Sequence, residues 1–117
     1  MSHGPGELLR EIDPRGRLVR LTSDQWHSHI LPRHPDIAGY LSAIPAVIRE
    51  PEVVRRDAVQ WQRECYYRQQ DRPAARSLLI KVVVDFSPQE EPDGFVITCF
   101  FTTRMRPGEE VLWLPST

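Results

Sequence analysis

At 117 residues the chain is near the commonest size for one domain, and a second independent core would leave each half too small to stay folded without staples. A hydrophobic fraction of 40% beside a charged fraction of 26% excludes the low-hydrophobicity, high-charge regime of disordered chains. The basic residues are 14 arginines and one lysine, Lys81, and 16 acids nearly cancel them to a formal net charge of −1; this argues against bulk, sequence-independent coating of nucleic acid but leaves room for a local basic cleft.

In chain order, residues 1–16 mix glycine, proline and charge and read as a flexible N-terminal arm ending in a turn at Asp13-Pro14-Arg15-Gly16. Residues 17–21 alternate charged and apolar side chains, the period of a half-buried strand. Thr22, Ser23 and Asp24 offer acceptors for orphan helix N–H groups, so a short helix is expected through Trp26, His27 and Ile30, ending at about Pro32. His34-Pro35-Asp36 repeats the start signal. The spacing of Ile37, Tyr40, Leu41 and Ile44 puts them on one face of a second helix that Pro45 interrupts or kinks. Residues 46–50 can add a further turn before Pro51.

The pattern then changes to strands, at residues 52–57, 60–69, 78–86 and 94–103, with polar connectors at 70–76 and 87–93 short enough for hairpins. The strand at 78–86 is rich in Leu, Ile and Val, so both its faces are expected to be covered, one by the helices. Residues 105–117 form a C-terminal tail whose apolar cluster, Val111-Leu112-Trp113-Leu114, would pack back on the domain or on a second copy. The expected fold is α+β: two or three short N-terminal helices on an antiparallel four- to five-stranded β-sheet, a meander, within a single domain of residues 17–104.

The longest apolar run, residues 78–86, is interrupted by Lys81 and Asp85 and is far shorter than the roughly 20 residues of a membrane span. Residues 1–6 lack a basic region followed by an apolar one, so the expected location is the cytoplasm, with no membrane partner. Cys65 and Cys99 fall inside expected strands, where a free cysteine serves as a small buried hydrophobe; a disulfide is open but unneeded.

Three of the four histidines, His27, His29 and His34, fall within eight residues. Histidine titrates near neutrality, so two of them beside one scissile bond could act as general base and general acid. In a helix His27 and His34 share one face, and His29 and Arg33 share another. The plainer reading has His27 in solvent and His34 capping the second helix. A metal site lacks support, with no His-Glu-x-x-His, no Cys-x-x-Cys and acids only at the cluster's edges, Asp24 and Asp36. Arg33, Arg63, Arg68 and Arg76 are candidate phosphate ligands, as is Lys81, which must either reach a cleft or be paired. Tyr66 and Tyr67 could stack on an unpaired base, or place one ring inside the sheet and one outside. There is no Gly-rich phosphate loop, Gly-x-Ser-x-Gly elbow or dinucleotide fingerprint, and no cofactor is expected.

Leu21-Thr22, Trp26-x-x-His29-Ile30-x-x-Arg33-His34-Pro35-Asp36, Ile48-x-x-Pro51, Tyr66-Tyr67-Arg68, Val82-Val83-Val84 and Gly94-Phe95-Val96-Ile97-Thr98 together resemble the phage-barrel nuclease-like domains of the barnase, EndoU, colicin and RelE fold group. The resemblance spans roughly residues 18–103 and is most specific at His-Ile-x-x-Arg-His-Pro. It implies two N-terminal helices against an antiparallel sheet and metal-independent cleavage of RNA in a cleft on that sheet. By matching position it implies His29, Arg33, His34 and Thr98 as catalytic residues, with Tyr67, Lys81 and the neighbouring Arg68 on the substrate; His27 is extra to the pattern. RNA is then the expected partner, with a cognate inhibitor protein or a homodimer as further partners. The alternative is a non-catalytic protein-binding module, or a self-associating domain closed by the tail.

Overall fold

The computed structural model describes residues 6–70, 78–87 and 92–116. β1 (Glu7–Ile12) and β2 (Leu18–Thr22) form an antiparallel hairpin. The expected turn at Asp13-Pro14-Arg15-Gly16 joins them: the Gly16 amide donates to the Asp13 carbonyl at 3.0 Å, and Gly16 takes a φ of 82° that favours glycine. The arm expected before the turn is instead a strand from Glu7 onward. Leu9 is buried in the main core, and that one anchor outweighs the glycine and proline around it. Residues 1–5 of that arm lie outside the described residues.

Thr22 ends β2 and caps the helix after it, its hydroxyl accepting from the Gln25 amide at 3.1 Å. α1 (Ser23–Gln25), a π turn (Trp26–Ile30) and α2 (Leu31–Arg33) then run on without a break, turning Trp26 and Ile30 into the core. The helical run ends at Arg33, one residue past Pro32 and so at about the expected place. Pro32 sits in the first turn of α2, just after the Leu31 amide closes the π turn on the Trp26 carbonyl, and at that point a missing N–H is tolerated. The second helix starts at Pro35 as expected but is a 3-10 stretch (Pro35–Ala43) that continues as α3 (Ile44–Arg49). Ile37 and Ile44 are fully buried and Tyr40 and Leu41 pack at the core edge, so the predicted face is the one used; Pro45 stands in the first turn of α3.

The sheet has seven strands, adding β3 (Val53–Arg56), β4 (Arg63–Gln69), β5 (Leu79–Asp85), β6 (Gly94–Thr102) and β7 (Glu110–Trp113), in the order β1-β2-β6-β5-β4-β3-β7. The α+β class is as expected, but the four- to five-stranded antiparallel meander is corrected. β3 to β6 are successive antiparallel neighbours, while β2 joins β6 in parallel and β7 extends the other edge by pairing with β3. The tail therefore packs back on its own domain, with Trp113 against the core and Val111 and Leu114 exposed. The connectors expected at 70–76 and 87–93 fall mostly on residues 71–77 and 88–91, outside the described residues.

One face of the sheet, with Tyr66, Ile80, Val82, Val84, Val96 and Cys99, carries the helices. The opposite face holds Val53, Cys65, Tyr67 and Val83 as a second cluster, with Met105 packed against it. Both faces of β5 are thus covered. Cys65 and Cys99 are free thiols on opposite faces, and burial pushes each up to about 12.

Gly94 pairs with Val19 where β2 meets β6, and a Cβ there would fall 2.5 Å from both Phe86 Cε1 and Val84 Cγ1. Gly94→Ala should therefore cost about 1–3 kcal/mol through forced displacement of packed side chains. The readout is a lower urea midpoint at an unchanged slope.

The hairpin turn is tied across the helix-bearing face by charge. The Tyr66 hydroxyl donates to Asp13 Oδ2 at 2.6 Å, Arg17 Nη2 donates to the same oxygen at 2.9 Å, and Arg17 also reaches Glu64 Oε1 at 2.6 Å, where Arg15 pairs too. Burial alone would raise the Asp13 carboxyl, but bonds from the Tyr66 hydroxyl and from Arg17 hold it below its usual 3.8. Asp57 and Asp85 are likewise held low against burial, by the Gln60 and Val59 amides and by Ser87 and Arg63. Carboxyls depressed in the folded state stabilise it fully above their unfolded pKa and cease to as pH falls through the folded one, so urea midpoints should begin to drop below about pH 5. Asp13→Asn should be less stable at neutral pH and show a shallower acid drop; an unchanged acid profile would mean that Asp13 has no part in the acid sensitivity.

Candidate functional site

Gln25, His29 and Arg33 stand four residues apart and form one stripe along the first helical run, the shared His29–Arg33 face expected from spacing. The stripe is docked on β6 by Gln25 Nε2, which donates to the Ile97 carbonyl at 2.7 Å. Between helix and strand lies a cavity of about 360 Å³ lined by Gln25, His29, Arg33, Arg63, Ile97 and Thr98. Three of the four expected catalytic residues, His29, Arg33 and Thr98, are therefore brought together from two elements, and Arg63 joins them from β4. Arg63 is oriented by Asp85, with Nε 3.3 Å from Oδ2.

His34 does not line this cavity. It lies just past α2, half-buried, with its ring stacked on Phe100 at 4.8 Å between centroids and 22° between planes. Phe100 is two residues beyond Thr98 on β6, so its side chain emerges on the same sheet face and puts His34 beside the cavity. His34 occupies the cap position of the 3-10 stretch, but its side chain makes no capping bond; its carbonyl accepts from the Ile37 amide at 3.1 Å. His27 is exposed and turned away, its Nδ1 2.9 Å from the Ser23 carbonyl oxygen. His27 and His29 are two residues apart on the same helical run and so project to nearly opposite sides, one to solvent and the other to the cavity.

The expected substrate contacts fare differently. Tyr67 is fully buried and its hydroxyl donates to Glu109 Oε1 at 2.6 Å, so its ring is closed to a base. Burial and the Glu109 carboxylate push that hydroxyl's pKa far up. Tyr66 is equally buried on the opposite face, so neither ring is outside: the segment after β6 covers the face that a bare sheet would leave open. Arg68 points to the helix-bearing face and donates to the Glu50 carbonyl at 2.7 Å, away from the cavity. Arg76 lies outside the described residues.

Lys81 is 6% exposed and paired with Glu109 Oε2 at 2.9 Å, which resolves the choice between cleft and partner mainly toward the partner. Glu109 also faces Arg55 Nε at 3.8 Å. Asp57, Cys65 and Glu109 bring ligand-type atoms within 4.8 Å of one another, but the Glu109 carboxylate is already held by Lys81 and Tyr67, and burial keeps the Cys65 thiol protonated with its pKa pushed up to about 12. Glu109 was missed from the sequence, although a lysine inside an apolar strand signals that some acid must meet it. Gln25 was missed because a helical glutamine carries no signal of its own.

A larger cavity of about 560 Å³ lies between β1 and the 3-10 stretch, but its charged groups, Arg10 and Glu11, are engaged with Glu7 and Arg49. No helix among the described residues is long and apolar enough to cross a membrane. Compared with known proteins, the chain matches no family model, no curated protein and no solved structure.

Proposed function

We propose that the protein is a metal-independent endoribonuclease, and the observation that carries this is the convergence of His29, Arg33, Arg63 and Thr98 on one cavity beside His34. A phosphodiester in the cavity would meet two guanidiniums able to fork onto its oxygens. His29 would take the proton from the RNA 2′-hydroxyl as that oxygen attacks its own phosphorus, and His34 would return a proton to the departing 5′-oxygen, leaving a 2′,3′-cyclic phosphate; the two histidines can exchange roles. Arg33 and Arg63 would neutralise the charge that builds on the phosphorane, and the Thr98 hydroxyl adds a donor on the same wall. The stack on Phe100 would fix the His34 ring, which matters because a general acid must be positioned before its chemistry counts.

The mechanism needs the 2′-hydroxyl and nothing else from outside the chain. An oligoribonucleotide cut by the protein should become resistant when the nucleotide 5′ of the cut is changed to its 2′-deoxy form. Continued cutting at that position would reject attack by the 2′-oxygen. A well-folded chain that leaves RNA intact would instead favour a protein-binding module of the same fold.

A further inference from the structure

A second cavity, of about 310 Å³, opens further along β6, with Lys81, Phe100 and Thr102 on its strand side and Arg104, Met105 and Arg106 on the segment that folds over the sheet. Thr98, Phe100 and Thr102 alternate along one face of β6, so at about 3.3 Å per residue the two cavities lie roughly 10 Å apart with the His34–Phe100 stack between them. At the floor Lys81 is nine-tenths buried and fixed by Glu109, its ammonium 5.4 Å from the Tyr67 ring and 5.7 Å from the Phe100 ring. At the rim the Arg104 and Arg106 guanidiniums are exposed, and neither has an ion pair among the described residues.

Charge around this cavity is out of balance. Among the described residues, Arg55, Lys81, Arg104 and Arg106 meet two acids, Glu109 and Asp57, a surplus of two positive charges in a chain whose net charge is −1. A concave, cation-rich spot beside an aromatic ring is suited to a phosphate of a single-stranded nucleic acid, with its neighbouring base free to meet the ring edge. We infer that the Lys81–Arg104–Arg106 cavity is a second phosphate subsite, holding the RNA backbone one or two nucleotides from the phosphate in the His29 cavity. The inference rests on the ribonuclease reading for its ligand but concerns binding rather than cleavage.

The test uses the full chain and a fluorescein-labelled 2′-deoxy hexanucleotide, which cannot be cut by 2′-oxygen attack, with affinity followed by anisotropy between 50 and 200 mM salt. Each phosphate contact on a single strand contributes about 0.7 to the slope of log affinity against log salt, so the Arg104→Gln, Arg106→Gln double variant should bind more weakly and lose about 0.7 of slope. An unchanged affinity and slope would overturn the subsite, even if the wild type cleaves RNA. Loss of the slope in a chain that cleaves no RNA would uphold the subsite and reject the nuclease. Absence of salt-dependent binding by the wild type would reject the subsite outright.

Discussion

Replacing His29 or His34 with alanine should lower RNA cleavage by about 10²- to 10⁴-fold, the usual worth of one general acid or base. Stability should barely move for His29, since its side chain is exposed and holds no partner among the described residues, so truncation removes little packing. His34 gives up its contact with Phe100, and a loss of about 0.5–1.5 kcal/mol is expected from that stack. His27 provides the control: it sits in the same π turn but is bound back to Ser23, and His27→Ala should cleave as the wild type does. Equal activity in all three variants would remove histidine from the chemistry, whereas equal loss in all three would point to damage to the helix rather than to the site.

The largest stability effect should come from Glu109→Ala. Its carboxylate is fully buried and meets the Tyr67 hydroxyl, the Lys81 ammonium and Arg55, while its carbonyl accepts from Arg55 Nη2 at 2.8 Å. Without it Lys81 is left as a buried charge with no hydrogen-bonded counter-ion and the Tyr67 hydroxyl without an acceptor, and breaking a buried pair from one side costs about 3–5 kcal/mol. Pairing Lys81→Met with Glu109→Gln should recover much of that, because the amide still accepts from Tyr67, the buried ammonium is gone and Arg55 keeps its bond to the carbonyl of residue 109. Urea unfolding of the single and double variants decides it; a double variant as unstable as Glu109→Ala would mean that lost packing, not the stranded ammonium, sets the cost.

Much of the scaffold was legible because its signals are local. The Thr22 cap, the Ile37–Ile44 face and the strands from residue 52 onward follow from acceptor residues, helical spacing and apolar periodicity, each read within a few residues. The edge strands β1 and β7 were not legible. Each is short, and the glycine and proline that flank them read as loop; β1 is held only by its hairpin with β2, and β7 joins the sheet through a long-range pairing with β3. The same holds for the parallel β2–β6 pair, which no local pattern encodes.

The site divides along the same line. His29 and Arg33 could be placed on one face from spacing alone, whereas Thr98 was singled out only through the resemblance to nuclease-like domains. Tyr67 and Lys81 looked available because the strand carrying them was read without its cover. Once residues 103–109 fold over that face, a tyrosine and a lysine become partners of Glu109, and the solvent-accessible cations that line the two cavities are Arg33, Arg63 and the rim arginines.

The decisive experiment is incubation of the purified chain with transfer RNA and ribosomal RNA in excess EDTA, with analysis of the product ends. Discrete fragments ending in 2′,3′-cyclic phosphate and 5′-hydroxyl are expected. Intact RNA, or cleavage that EDTA abolishes, would rule out a metal-independent ribonuclease.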